Sequence, residues 1–128
     1  MAETFIVVNG ILWIGFALFH AMFWKIFDWK NELPRLSPPN RMIVQASNVI
    51  LIYIFIVLGI VYVAYAGEIS TSALGHVLLL AALGFWVLRT VLQFVFGSVK
   101  SRASNMTAGI CAVMAIYSLM VFAYGAMI

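Results

Sequence analysis

The sequence predicts an all-α integral membrane protein, an antiparallel four-helix bundle of up-down-up-down connectivity. Three observations lead there. Of 128 residues, 66% are hydrophobic and only 9% charged, against roughly 45–50% apolar and about 25% charged in ordinary soluble domains. Too little polar surface exists to coat a water-soluble fold. Four apolar stretches, residues 5–27, 42–66, 73–96 and 105–127, each reach the ~20 residues that a spanning helix needs. Segments of alternating hydrophobicity, the mark of a membrane barrel, do not occur, and open backbone cannot face lipid, so the spans are helices. The length gives one domain over residues 1–128.

The first span, 5–27, has a competing reading as a signal peptide. A signal carries a basic start, a shorter apolar core and small residues at its end. Here Met1-Ala2-Glu3-Thr4 is acidic, the apolar run is long, and Phe23-Trp24-Lys25 follows it, so a retained membrane helix is expected. A polar connection follows, about Trp29 to Asn40, the longest of the three. Ser37 before Pro38 and Pro39 is a cap followed by proline in the first turn, which starts the second helix. Gly67 is placed to end that helix in a left-handed conformation. Ser70 or Thr71 can cap the third span, and Gly97-Ser98 ends it. Ser101 or Ser104 can cap the fourth. The second and third connections are short, which makes consecutive helices antiparallel neighbours.

Charge sets a direction. Lys25, Lys30, Arg35, Arg41, Lys100 and Arg102 lie in or beside the first and third connections, with Arg89 in the same half of the third span. Only Glu3 and Glu68 fall on the other side. The positive-inside rule assigns the basic side to the cytoplasm, so both termini are expected outside a bacterial inner (plasma) membrane. The net charge of +3 is spread around apolar segments and forms no basic stripe with stacking aromatics, which excludes a nucleic-acid partner. The lone Cys111 excludes an intrachain disulfide and a Cys-rich zinc site.

Polar residues at membrane depth mark the candidate site. At ~1.5 Å per residue, His20 and Arg89 each lie about 10 Å above the inner boundary, and Asn48 and Cys111 roughly 9 Å. Gln45 and Gln93 lie nearer the interface. Helical spacing puts Asn9, Trp13, Phe16, His20 and Trp24 on one face of the first helix. Ala82, Trp86, Arg89 and Gln93 share a face of the third. The second carries Gln45, Asn48, Ile52, Phe55, Gly59, Tyr62 and Ala66 on one seam. The fourth carries the small seam Ala108, Cys111, Ala115 and Ser118.

Arg89 is the sharpest signal. A cation at mid-helix costs about 2.5–3.5 kcal/mol to insert, so it either faces the bundle interior or reaches toward the head groups. No acid shares its depth, which favours an anionic guest or amide and carbonyl partners. The expected ligand-binding set is Arg89, His20, Asn48, Trp86, Gln93 and Trp24, without a catalytic residue, metal or cofactor. His20 and His76 differ by roughly 17–18 Å in depth, too far to clamp one haem.

Three functions fit. The first is non-enzymatic binding of a small anionic or lipid-like ligand in the inner half, extending to its transport. The second is an accessory or structural subunit of a larger membrane complex. The third is a membrane enzyme acting on a lipid or quinone, with His20 as base and Arg89 as the phosphate or oxyanion partner. Expected partners are the bilayer itself, further copies in a homo-oligomer or a larger complex, and the anionic ligand.

Overall fold

A computed structural model describes residues 1–98 and 100–126, all but the side chain of Ala126. Eight helical elements and no strand occur among the described residues. They are α1 (Ala2–Ala21), α2 (Phe23–Ile26), α3 (Trp29–Glu32), a 3-10 turn (Leu33–Arg35), α4 (Pro38–Ala64), α5 (Ala66–Thr71), α6 (Ala73–Phe96) and α7 (Arg102–Ala126). The four long ones, α1, α4, α6 and α7, are long and apolar enough to cross a membrane.

The expected spans match these helices with informative differences. The first stops at Ala21 rather than continuing to Phe27. The Met22 N–H bonds both the Leu18 and Phe19 carbonyls, at 3.2 and 3.1 Å, which tightens the turn before α2 begins. Asp28 then takes a left-handed conformation (φ 49°) and sets off α3. Asp tolerates that region better than most side chains, and Asn31 Nδ2 holds both its carboxylate oxygens, at 3.0 and 2.9 Å. The second span begins at Pro38, with Ser37 as N-cap residue but without a side-chain cap bond. Its end differs from expectation: α4 closes at Ala64, Gly67 lies inside α5, and no described glycine has a positive φ.

The third span is Ala73–Phe96 as expected, but its cap is Ser72, whose Oγ accepts the Gly75 N–H at 2.9 Å. Ser70 and Thr71 instead donate their hydroxyls to the Gly67 carbonyl, at 2.8 and 2.9 Å, within α5. The fourth helix starts at Arg102, and Ser101 Oγ accepts the Ser104 N–H at 3.3 Å. Met127, the last residue of the expected fourth span, lies outside the described residues.

The first connection is more ordered than its polar composition suggests. Arg41 reaches back from α4 and donates to the carbonyls of Leu33, Pro34 and Leu36, at 3.0, 3.2 and 3.3 Å. The Leu33 carbonyl also accepts the Leu36 N–H, at 3.1 Å, so Arg41 adds a second bond there and ties the end of the turn to α4. Arg41 therefore has a structural task beyond its contribution to charge.

Packing follows helical periodicity. On α1, Ile6, Asn9, Gly10, Trp13, Phe16, Ala17 and His20 are buried, one stripe at three- and four-residue steps. α1 packs against α4, α5 and α7, and α6 packs along α7. Its crossing with α4 is the tightest point. A Cβ on Gly10 would stand 2.8 Å from the Gly59 carbonyl oxygen, and one on Gly59 would run into the Ile14 side chain. Two glycines facing each other let the backbones approach, as small residues do in membrane helices. Trp13, Phe16, Phe55 and Trp86 fill the middle, with ring centroids 4.7–5.4 Å apart. The outer faces are apolar: Ile11, Leu18, Leu80 and Ile116 are each more than half exposed.

Candidate functional site

The six residues singled out by the sequence fall into two linked pairs, one core ring and one outlying ring. His20 and Asn48 form the first pair. His20 closes the buried stripe of α1, and Asn48 is the first buried residue of α4. The His20 Nδ1 lies 2.9 Å from the Phe16 carbonyl. A carbonyl only accepts, so Nδ1 carries the proton, and in the neutral ring Nε2 is the acceptor. Asn48 Nδ2 donates to the His20 carbonyl at 3.1 Å, and its Oδ1 is buried with no partner among the described residues. Phe23 stacks on the imidazole at 4.4 Å, with Phe16 and Phe55 at 4.8 and 5.0 Å.

Arg89 and Gln93 form the second pair, one turn apart on α6. Arg89 Nη1 donates to Gln93 Oε1 at 2.9 Å. Gln93 Nε2 passes the link to α7, donating to Ser104 Oγ at 2.9 Å and to its carbonyl at 3.3 Å. Ser104 Oγ also accepts the Ser98 N–H at 3.1 Å. The relay ties the ends of α6 and α7 together and draws the guanidinium along its own helix toward the connection between them. Arg89 is half-buried, and among the described residues this is its one hydrogen bond; no carboxylate lies within ion-pair distance of it. Its remaining N–H groups have no partner among the described residues.

Trp86 lies in the core between these pairs. It is fully buried against Trp13, Phe16 and Phe85, at centroid distances of 5.0, 4.7 and 5.1 Å. It shapes the interior and lines no groove at either pair. Trp24 stands apart. The turn at Met22 shifts the helical phase, so Trp24 leaves the stripe of His20, is half exposed, and among the described rings meets Trp29, edge-on at 6.1 Å. His76, from the opposite end of the bundle, bonds the Ser70 carbonyl through Nε2 at 3.1 Å.

Side chains outside the expected set also matter. Ser104 completes the Arg89 relay, and the Ser-rich segment after Gly97 was its only visible signal. Asn9, Trp13 and Ser118, like Trp86 within the set, bury polar atoms with no partner among the described residues. Asn9 leaves its whole amide unpaired at 1% exposure. Buried polarity therefore extends beyond the inner half that the sequence emphasised.

Compared with known protein families, curated proteins and solved structures, the chain matches none. The geometry alone has to carry the functional argument.

Proposed function

We propose that the protein is an integral membrane four-helix bundle that binds an anionic lipid head group at Arg89. Its apolar outer faces support insertion, because contiguous exposed apolar area on this scale is foreign to soluble monomers. The contacts favour antiparallel neighbours: Gly10 faces Gly59 while His20 faces Asn48, and Phe5 meets Tyr117 and Tyr124 near the far end of α7. Six of the seven basic residues then gather at one end, with Arg89 reaching toward it. The positive-inside rule makes that end cytoplasmic, as in a bacterial inner membrane, with both termini outside.

One observation carries the reading. Among the described residues, Arg89 sits in an apolar span with a single neutral partner, Gln93, and no carboxylate beside it. A guanidinium with free N–H groups presents a fork suited to phosphate. The inner-leaflet head groups are the anions nearest to hand. The packed centre of Trp13, Phe16, Phe55 and Trp86 favours binding over passage, since a solute crossing the bundle would have to displace those rings.

Thermal unfolding in detergent tests this. Short-chain phosphatidylglycerol is expected to raise the wild-type Tm in a concentration-dependent way, because a ligand that binds only the folded state stabilises it. Short-chain phosphatidylcholine is expected to do so far less. In Arg89→Gln the difference between the two lipids should vanish. A variant that keeps the full phosphatidylglycerol shift would refute the assignment.

A further inference from the structure

The bundle closes unevenly. α1 packs against α4, and α6 along α7, but α4 and α6 make no comparable contact with each other. Between them lies a cleft of about 150 Å³, lined by Trp13, Phe55, Tyr62, Leu78, Ala82 and Phe85. Ile54 and Ala81 stand exposed at its rim, so it opens sideways on what would be lipid.

The surface of the cleft is almost wholly hydrocarbon. Tyr62 is fully buried, its hydroxyl committed to the Leu78 carbonyl at 3.2 Å, and Trp13 Nε1 is buried as well. Such a lining offers a guest neither charge nor hydrogen bond, only the dispersion contacts that an empty cleft forfeits. Its guest is hydrocarbon, and in a bilayer hydrocarbon comes as a lipid chain.

Position relates the cleft to Arg89. Leu78, Ala82 and Phe85 recur on one face of α6 at four- and three-residue steps, and Arg89 continues that face four residues on. At ~1.5 Å per residue, Arg89 lies about 6 Å beyond Phe85, and Gln93, toward which the guanidinium is drawn, about 12 Å. One chain of an ordinary bilayer lipid spans half of the ~30 Å hydrocarbon core, about 15 Å. Starting at the level of Gln93, such a chain passes Phe85 and reaches the cleft. A chain half as long stops short of it.

We infer that the cleft between α4 and α6 seats an acyl chain of the same anionic lipid whose head group Arg89 holds. The inference rests on the Arg89 reading and adds a second point of attachment to it. Any loose chain can enter the cleft, but one tied at Arg89 is held there at high effective concentration and displaces the others. The protein therefore selects its lipid by chain length as well as by charge.

Thermal unfolding of the full chain in detergent tests this with dioctanoyl- and dioleoylphosphatidylglycerol, each titrated to the half-maximal rise in Tm. For the wild type, the dioleoyl lipid is expected to reach that point at about a tenfold lower mole fraction. Ala81→Phe fills the cleft from its exposed rim, and Ile54→Trp does so from the opposite wall should the first fail to fold. Either is expected to remove the advantage of the long chain while leaving the dioctanoyl titration unchanged, since neither residue belongs to the Arg89 relay. Equal half-points for the two lipids in the wild type would overturn the inference and leave the head-group reading standing. The same holds for a long-chain advantage that both filled variants keep. Dioleoylphosphatidylcholine that matches dioleoylphosphatidylglycerol would also overturn it, because the chain would then be seated without Arg89. A dioctanoylphosphatidylglycerol shift that survives Arg89→Gln would instead sink the head-group reading, and this inference with it.

Discussion

Replacing Gly10 by alanine adds one methyl group where α1 crosses α4, and the structure gives its consequence in ångströms. The new Cβ would lie 2.8 Å from the Gly59 carbonyl oxygen and 2.9 Å from both Tyr62 Cβ and Val63 Cγ2, where ordinary contact is 3.4–4 Å. Two of those atoms are fixed to backbone and cannot rotate away, so the helices have to part by about 0.6 Å at the crossing. Overpacking of this kind costs about 1–3 kcal/mol. Alanine recovers at most about 1 kcal/mol through its better helix propensity. A net loss of roughly 1–2 kcal/mol is expected from these two terms. Gly15→Ala is the internal control: its Cβ would meet nothing within 4 Å, so it should be neutral or slightly stabilising. Reversible unfolding in bicelles, followed by tryptophan fluorescence and circular dichroism, compares the two. Equal stability of Gly10→Ala and Gly15→Ala would show that the α1–α4 crossing is not where the structure places it.

Other substitutions probe separate parts of the account. Arg41→Leu removes the donors that hold the Leu33, Pro34 and Leu36 carbonyls, so proteolysis between residues 28 and 37 should accelerate severalfold while the long helices stay folded; an unchanged cleavage rate would contradict that role. Tyr62→Phe deletes the hydroxyl that donates to the Leu78 carbonyl at 3.2 Å, the hydrogen bond joining α4 to α6. It should cost about 0.5–1.5 kcal/mol in the same unfolding assay, and a neutral result would mean the bond contributes nothing. Asn9→Leu replaces a buried amide with no partner among the described residues by a side chain of similar size, so it should hold or raise stability by about 1 kcal/mol; a marked loss would reveal that the amide is satisfied in the membrane. In a Cys111→Ala background, Lys100→Cys should be shielded from an impermeant maleimide in intact cells and Glu68→Cys labelled. The reverse pattern would invert the proposed orientation.

The long helices were readable because length and apolarity dominate them. Ala73–Phe96 was delimited correctly, with a serine at one end and Gly97 at the other. The breaks were not readable, because they arise from local geometry that hydropathy does not encode. The tightened turn at Met22 and the left-handed Asp28 both lie inside or beside a run that is apolar in the main, with no glycine or proline at either break. That turn also explains Trp24, which shares a stripe with His20 only if the helix continues.

The polar residues were visible individually, but their grouping was not. Depth put His20, Asn48, Arg89 and Cys111 in one layer, with Gln93 nearer the interface. Which of them meet depends on how each helix is rotated and which helices adjoin, and that is decided by contacts such as Gly10 against Gly59. The Arg89–Gln93–Ser104 relay needed α7 beside α6, and the three carbonyls bound by Arg41 needed the connection folded first. Asn9 was on the correct stripe, yet nothing in the sequence showed that its amide would go unpaired.

The central claim is that Arg89 holds an anionic head group, and native mass spectrometry of the protein released from mixed phosphatidylglycerol and phosphatidylcholine nanodiscs tests it most directly. The wild type should retain phosphatidylglycerol in preference to phosphatidylcholine, and Arg89→Gln should lose that preference while remaining folded. Equal retention of phosphatidylglycerol by the two proteins would contradict the account.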